Sequence, residues 1–131
     1  MGYSPSLWGR EGWHLIHYIT LNYPQNPTDQ DKKLYQQFFE FLPQVLPCPF
    51  CGNHFIENMA KNPIRLENTR SLFEWGVDMH NAVNESNGMR LLSYEEALEQ
   101  INLNSSRGRF DSEILNHNRV SYLLNRVKKL K

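Results

Sequence analysis

The sequence has few cysteines, no long apolar run and no net charge. Two of its 131 residues are cysteine, Cys48 and Cys51, too few for a small secreted domain held together by disulfides. No apolar run approaches the ~18 residues of a membrane span, so we expect no membrane association. Fourteen basic and fourteen acidic residues balance, and this balance gives no overall attraction to nucleic acid.

The N-terminal residues 1–7 lack the features of a targeting segment. They have neither the basic start nor the apolar stretch of a secretory signal, and they are not rich in arginine and serine as transit peptides are. These observations predict a cytoplasmic protein without a signal or transit peptide.

The charges are unevenly distributed along the chain. Residues 1–104 carry 7 basic and 12 acidic side chains, whereas residues 105–131 carry 7 basic and 2 acidic ones. This difference predicts an acidic domain over 1–104 and a basic extension over 105–131. The apolar residues from Val120 to Leu130 share one helical face, so we expect the extension to be an amphipathic helix. Three roles are open for this helix: it would dock an acidic partner, complete an oligomer interface or simply pack on the domain.

The apolar residues of 1–104 recur at helical spacing, and alternation of β-branched residues is almost absent. This pattern predicts an all-α fold. Capping residues, prolines and a glycine predict helices over about residues 4–22, 28–43, 51–61, 69–87 and 93–103. In the second helix we expect a buried stripe of Leu34, Phe38, Phe41 and Leu42, with Pro43 ending the helix.

Cys48 and Cys51 form a CxxC motif at the start of the third predicted helix. A disulfide between them would close a very short loop and restrict the unfolded chain little, so redox exchange explains the pair better than stability does. Cys51 would lie in the first helical turn, where the pKa of a thiol is lowered and the reactive thiolate is favoured. The alternative is a structural zinc site of Cys48, Cys51 and His54, completed by His17 or His80.

Two further groups of residues share helix faces. Arg10, Trp13 and His17 lie on one face of the first helix, and His80 and Asn84 lie one turn apart on the fourth. Each group alone is compatible with an ordinary core or a polar surface stripe. Together they also suit a planar heterocycle that carries ribityl and phosphate groups.

These segments resemble the Erv/ALR family of FAD-linked sulfhydryl oxidases. The family pattern G-R-x-x-W-x-x-x-H matches Gly9–His17, P-C-x-x-C matches Pro47–Cys51, and W-x-x-x-x-H-N-x-V-N matches Trp75–Asn84. The three motifs occur in the family's order over about residues 5–101. The resemblance implies a four-helix bundle with a short fifth helix, noncovalently bound FAD and a homodimer. The short two-cysteine form is similar to the sulfhydryl oxidases of large DNA viruses, which would place it in host cytoplasm or virion.

The resemblance also implies roles for individual residues. Cys48 would exchange with the substrate and Cys51 would lie next to the flavin, and no metal site is implied. The cofactor-binding residues that it implies are Trp8, Gly9, Arg10, Trp13, His17, Phe55, His80, Asn81, Val83, Asn84 and Arg90.

The chain departs from many relatives in its cysteines. It has no third cysteine to act as a shuttle, so the partners would be a protein dithiol or a separate thioredoxin-like protein, together with O2. Val77 and Tyr94 stand where relatives often have a structural disulfide. An interchain disulfide would consume the catalytic pair, so a dimer would be noncovalent. A zinc-stabilised helical binding module and a flavin-free dithiol reductase are the alternative functions.

Overall fold

The fold is built from helices throughout the part of the chain that the structure describes. The computed structural model describes residues 2–105, and these contain no strand, which confirms the all-α prediction. The predicted extension lies outside this range beyond residue 105. The helices are α1 (Pro5–Leu21), α2 (Asp29–Val45), α3 (Pro49–Lys61), α4 (Thr69–Ser86) and α5 (Tyr94–Ser105).

Side-chain caps explain where several helices begin and end. The Ser4 hydroxyl accepts a hydrogen bond at the start of α1, as its position before a proline predicts. Thr28 and Asp31 form a capping box at the start of α2, with reciprocal bonds of 2.9 and 3.0 Å. The Asn68 side chain caps α4 by accepting a hydrogen bond from the Ser71 N–H at 2.8 Å. After α4 the chain turns at Gly88, whose φ of +66° is the left-handed conformation that glycine adopts without strain.

The second helix differs from its predicted end and its predicted face. It continues through Pro43 to Val45, so the prediction that Pro43 ends it is wrong. Pro43 lies in the last turn, where its missing N–H costs only one helical hydrogen bond.

The buried stripe of α2 is formed by Tyr35 and Phe39, whereas Phe38 and Phe41 are 38% and 62% exposed. The predicted stripe is therefore wrong apart from Leu42, which packs partly against the core. Both stripes have helical spacing, so periodicity alone does not tell which of them faces the other helices.

The core is centred on Trp75 of α4, which is completely buried. Phe39 meets its ring edge-on at 4.9 Å between centroids, and its indole N–H donates to the Asn62 carbonyl at 2.8 Å, which satisfies the one polar atom of the ring. Around this centre α1 packs on α4 and α2 packs on α3. A smaller cluster that includes Phe73 and Ile101 joins α5 to α4.

None of the helices within residues 2–105 combines the length and the apolar character that a membrane crossing requires.

Candidate active site

A disulfide joins Cys48 and Cys51 at the beginning of α3, with 5.2 Å between their Cα atoms. Cys48 is the N-cap residue, and its sulfur accepts a hydrogen bond from the Cys51 backbone N–H at 3.1 Å. Pro49 occupies the first helical turn, so α3 begins two residues before the predicted start at Cys51. When the disulfide is reduced, the helix N-terminus favours the thiolate form of both cysteines.

Gly52 fixes the motif against the preceding helix. A Cβ atom at this position would overlap the carbonyl oxygen of Pro43, so only glycine lets α3 approach the end of α2 this closely. Sequence reasoning gave Gly52 no role in the site. A glycine inside a helix costs about 1 kcal/mol relative to alanine. A glycine within the predicted third helix was therefore the sign in the sequence that another element packs closely there.

A largely apolar cavity of about 380 Å³ lies beside the disulfide. Cys51 lines the cavity and Cys48 does not. The wall includes five of the predicted cofactor-binding residues, drawn from three helices. These are Trp8, Gly9 and Trp13 of α1, Phe55 of α3 and Val83 of α4.

Behind one wall of the cavity lies a pair of histidines. The Trp13 ring stacks on His80 with 4.3 Å between centroids and an angle of 5°. His80 Nδ1 lies 2.9 Å from His17 Nε2. The structure thus brings together three predicted residues that are far apart in the sequence.

Both histidines are neutral at pH 7. Burial, with smaller contributions from the neighbouring His80 and His14, lowers the pKa of His17 to about 3. Burial also lowers the pKa of His80 to about 4, with His14 as a second cause. Each ring therefore carries one N–H, and one of these two N–H groups donates the hydrogen bond between the rings.

The environment of His17 decides which ring donates that proton. His17 Nδ1 is buried and has no hydrogen-bond partner within the described part of the chain. A buried N–H without a partner is rarer than a buried lone pair, because the lost hydrogen bond is not recovered. We infer that His17 Nε2–H donates to His80 Nδ1, and that His80 carries its own proton on Nε2.

Besides His17 and His80, four predicted cofactor-binding residues do not line the cavity. The Asn81 side chain holds the Leu92 backbone, donating to its carbonyl at 2.8 Å and accepting from its N–H at 2.9 Å. Arg90 pairs with Glu96 on the surface, and Arg10 is exposed. The fourth, Asn84, is buried on α4 at 8% exposure.

A cluster of polar side chains attaches the start of α5. The Tyr94 hydroxyl donates to Asp78 Oδ1 at 2.8 Å, and Arg65 pairs with the other oxygen of that carboxylate. Val77, next to Asp78, is buried. Noncovalent contacts therefore hold together the region around Val77 and Tyr94, and nothing in the sequence pattern predicted this cluster.

The structure gives no support to the zinc alternative. The sulfurs of Cys48 and Cys51 are bonded to each other, so neither is available as a thiolate ligand in this state. Among residues 2–105, no three histidine, cysteine or acidic side chains are grouped as a metal site requires.

These features define a helical redox protein in which a CxxC disulfide borders an apolar cavity with aromatic walls. The chain belongs to the Erv1 / Alr family, whose model matches residues 10–102. This finding confirms the family that the three motifs predicted.

Among the relatives, a probable FAD-linked sulfhydryl oxidase of Acanthamoeba polyphaga mimivirus is 40% identical over 101 residues, which is 75% of this chain and 71% of the relative. The mitochondrial FAD-linked sulfhydryl oxidase ERV1 of Saccharomyces cerevisiae is 34% identical over 77 residues. The chain spans 41% of that yeast protein, and the match covers 59% of the chain.

Solved structures show the same fold. The crystal structure of the FAD binding domain of Erv1 from Saccharomyces cerevisiae matches with a TM-score of 0.68 and 28% identity, over 71% of this chain and 89% of that one.

Proposed function

We propose that this chain is an FAD-dependent thiol oxidase. It oxidises protein dithiols to disulfides and passes the electrons to O2, which yields hydrogen peroxide. The observation that carries the proposal is the position of the Cys48–Cys51 disulfide, at a helix N-terminus on the border of an aromatic-walled cavity. Relatives from a virus and from yeast carry the name FAD-linked sulfhydryl oxidase.

The residues around the cavity fit a flavin ring. A volume of about 380 Å³ with Trp8, Trp13 and Phe55 on its wall suits a flat aromatic heterocycle. His80 brings a hydrogen-bond donor next to this wall. The buried Asn84 and the exposed Arg10 are the candidates to hold the rest of the dinucleotide. When bound, FAD supplies an acceptor for one electron pair and a route for that pair to O2.

The two cysteines have different positions and therefore different roles. A substrate thiolate attacks the Cys48 sulfur, which does not line the cavity, and the Cys48–Cys51 bond breaks. Cys51 leaves as a thiolate with the electron pair and remains on the cavity wall. A second substrate thiolate then resolves the mixed disulfide and releases Cys48. The substrate is a protein dithiol itself or a separate redox protein, because no third cysteine can relay electrons within these 131 residues.

Single cysteine variants test this assignment. In Cys48→Ser, a Cys51 thiolate should remain beside the flavin and give a long-wavelength charge-transfer band. In Cys51→Ser, FAD should stay bound but no dithiol should reduce it. Reversed spectra in the two variants would exchange the roles, and flavin reduction in Cys51→Ser would remove the disulfide from the electron path.

We further propose that the protein forms a noncovalent homodimer through the exposed apolar side chains of α1 and α2. Leu7, Leu15, Phe41 and Val45 are each more than 60% exposed, and exposed apolar side chains favour association; Leu15 and Val45 also line the cavity. Phe41→Glu should convert a dimer to a monomer in light-scattering mass measurements. Ile56→Glu, at an apolar residue of α3 that is 50% exposed, is the matched control and should remain dimeric. A monomer without any substitution would contradict this proposal.

A further inference from the structure

His54 is a titratable side chain next to the disulfide, and the proposed reaction does not yet use it. It follows Cys51 by three residues on α3, and both residues line the same cavity. Helix positions three residues apart place their Cβ atoms about 5–6 Å from each other. The His54 ring packs on Phe50 with 4.4 Å between centroids. Its nitrogens have no hydrogen-bond partner within residues 2–101.

The described cavity wall otherwise lacks ionisable side chains. Among the described lining residues there is no lysine, arginine or carboxylate, and Cys51 and His54 are the titratable pair. Charged or titratable residues that neighbour the wall residues along α1 to α4 do not line the cavity. On α1 they are Arg10, Glu11, His14, His17 and Tyr18, and on α2 to α4 they are Glu40, Glu57 and Glu85.

A thiolate released into such an environment is costly unless a positive charge accompanies it. Cys51 becomes an anion each time the disulfide is opened, and apolar surroundings disfavour a lone charge. His54 is the cavity-lining side chain that can carry a compensating charge.

We propose that His54 takes up one of the protons released during dithiol oxidation and, as an imidazolium, stabilises the Cys51 thiolate. The proposal rests on the thiol oxidase function above. The dithiol loses two electrons and two protons as its sulfurs join. The Cys48–Cys51 bond breaks and accepts both electrons, which gives a Cys48 thiol and a Cys51 thiolate. One proton goes to Cys48 and the other to the His54 ring, so charge and atoms balance.

The test measures the Cys51 thiolate directly in the full chain with FAD bound. In a Cys48→Ser background, the rate of alkylation of the single thiol by iodoacetamide is followed by mass spectrometry from pH 5 to pH 9. Adding His54→Gln should raise the midpoint of that rate profile by about 1 unit or more. His54→Lys should keep the midpoint low because it retains a positive charge. His14→Gln is the matched control and should leave the midpoint unchanged.

A reciprocal measurement needs no change at His54. Coupling between two sites is mutual. Adding Cys51→Ser to the Cys48→Ser variant removes the thiolate. The pH midpoint at which the His54 ring resonances shift in an NMR titration should then be lower. Equal midpoints with His54 and with His54→Gln, or a His54 titration indifferent to Cys51, would overturn the proposal. Neither readout requires electron transfer. If the protein binds FAD but dithiols do not reduce the flavin, the oxidase function is refuted. The alkylation and NMR titrations would still decide whether His54 and Cys51 are coupled.

Discussion

The buried histidine pair predicts that the protein loses stability in mild acid. His17 is only 4% exposed, and burial, with help from His80 and His14, lowers its pKa from 6.5 to about 3. In the unfolded chain His17 takes up a proton as the pH falls below 6.5, whereas in the fold it stays neutral. The unfolded state therefore binds more protons over this window. The stabilising effect is complete above pH 6.5 and is lost progressively toward pH 3.

The magnitude follows from the difference between the two pKa values. From pH 7 to pH 5, His17 alone should reduce the free energy of unfolding by about 2 kcal/mol. His80 contributes in the same direction because its pKa is also lowered, to about 4. Because a folded-state pKa of about 4 also lies below pH 5, its contribution over this window is of similar size.

Urea unfolding monitored at several pH values between 5 and 7.5 measures this loss. His17→Gln should lower the stability at pH 7 but make it less dependent on pH, since glutamine does not titrate. His14→Gln should keep most of the dependence, because burial is the largest cause of both shifts. Unfolding midpoints that are equal at pH 5 and pH 7 in the unsubstituted protein would refute the neutral, buried pair.

Two pairs of substitutions test contacts that position the site. In thermal unfolding, Gly52→Ala should destabilise the protein by about 1–3 kcal/mol, because the added Cβ meets the Pro43 carbonyl oxygen. The control Gly9→Ala has room for its Cβ and should be neutral or stabilising. Equal effects would contradict the close approach of α2 and α3. Asp78→Ala should cost about 1–3 kcal/mol by removing the partner of two side chains, whereas Glu74→Ala, which removes an exposed pair with Arg70, should cost about 0.5 kcal/mol or less in urea unfolding.

The helices were predictable because their signals are local. The caps at Ser4 and Thr28 and the glycine at position 88 each act within a few residues, and each ends or begins a helix in the structure. The face of α2 was not predictable in the same way. Phe38 and Phe39 belong to two stripes of equal period, and the choice between them depends on contact with Trp75, more than thirty residues later.

The residues of the site show the same difference between local signals and long-range contacts. The three motifs identified Cys51, Trp13 and His80 as members of one site, and the structure brings them to the cavity or directly behind it. Motifs do not show how a side chain is used. The sequence did not reveal that Asn81 is engaged by the backbone of Leu92, because that contact depends on the path of the chain between α4 and α5.

The visible absorption spectrum of the purified protein tests the central claim most directly. The account predicts the spectrum of oxidised flavin, which should bleach when dithiothreitol is added without oxygen and return when air is admitted. A Cys48→Ser, Cys51→Ser double variant with bound FAD should not bleach on the same timescale. A folded protein that takes up no FAD, or bound flavin that dithiol reduces equally well without the two cysteines, would contradict the account.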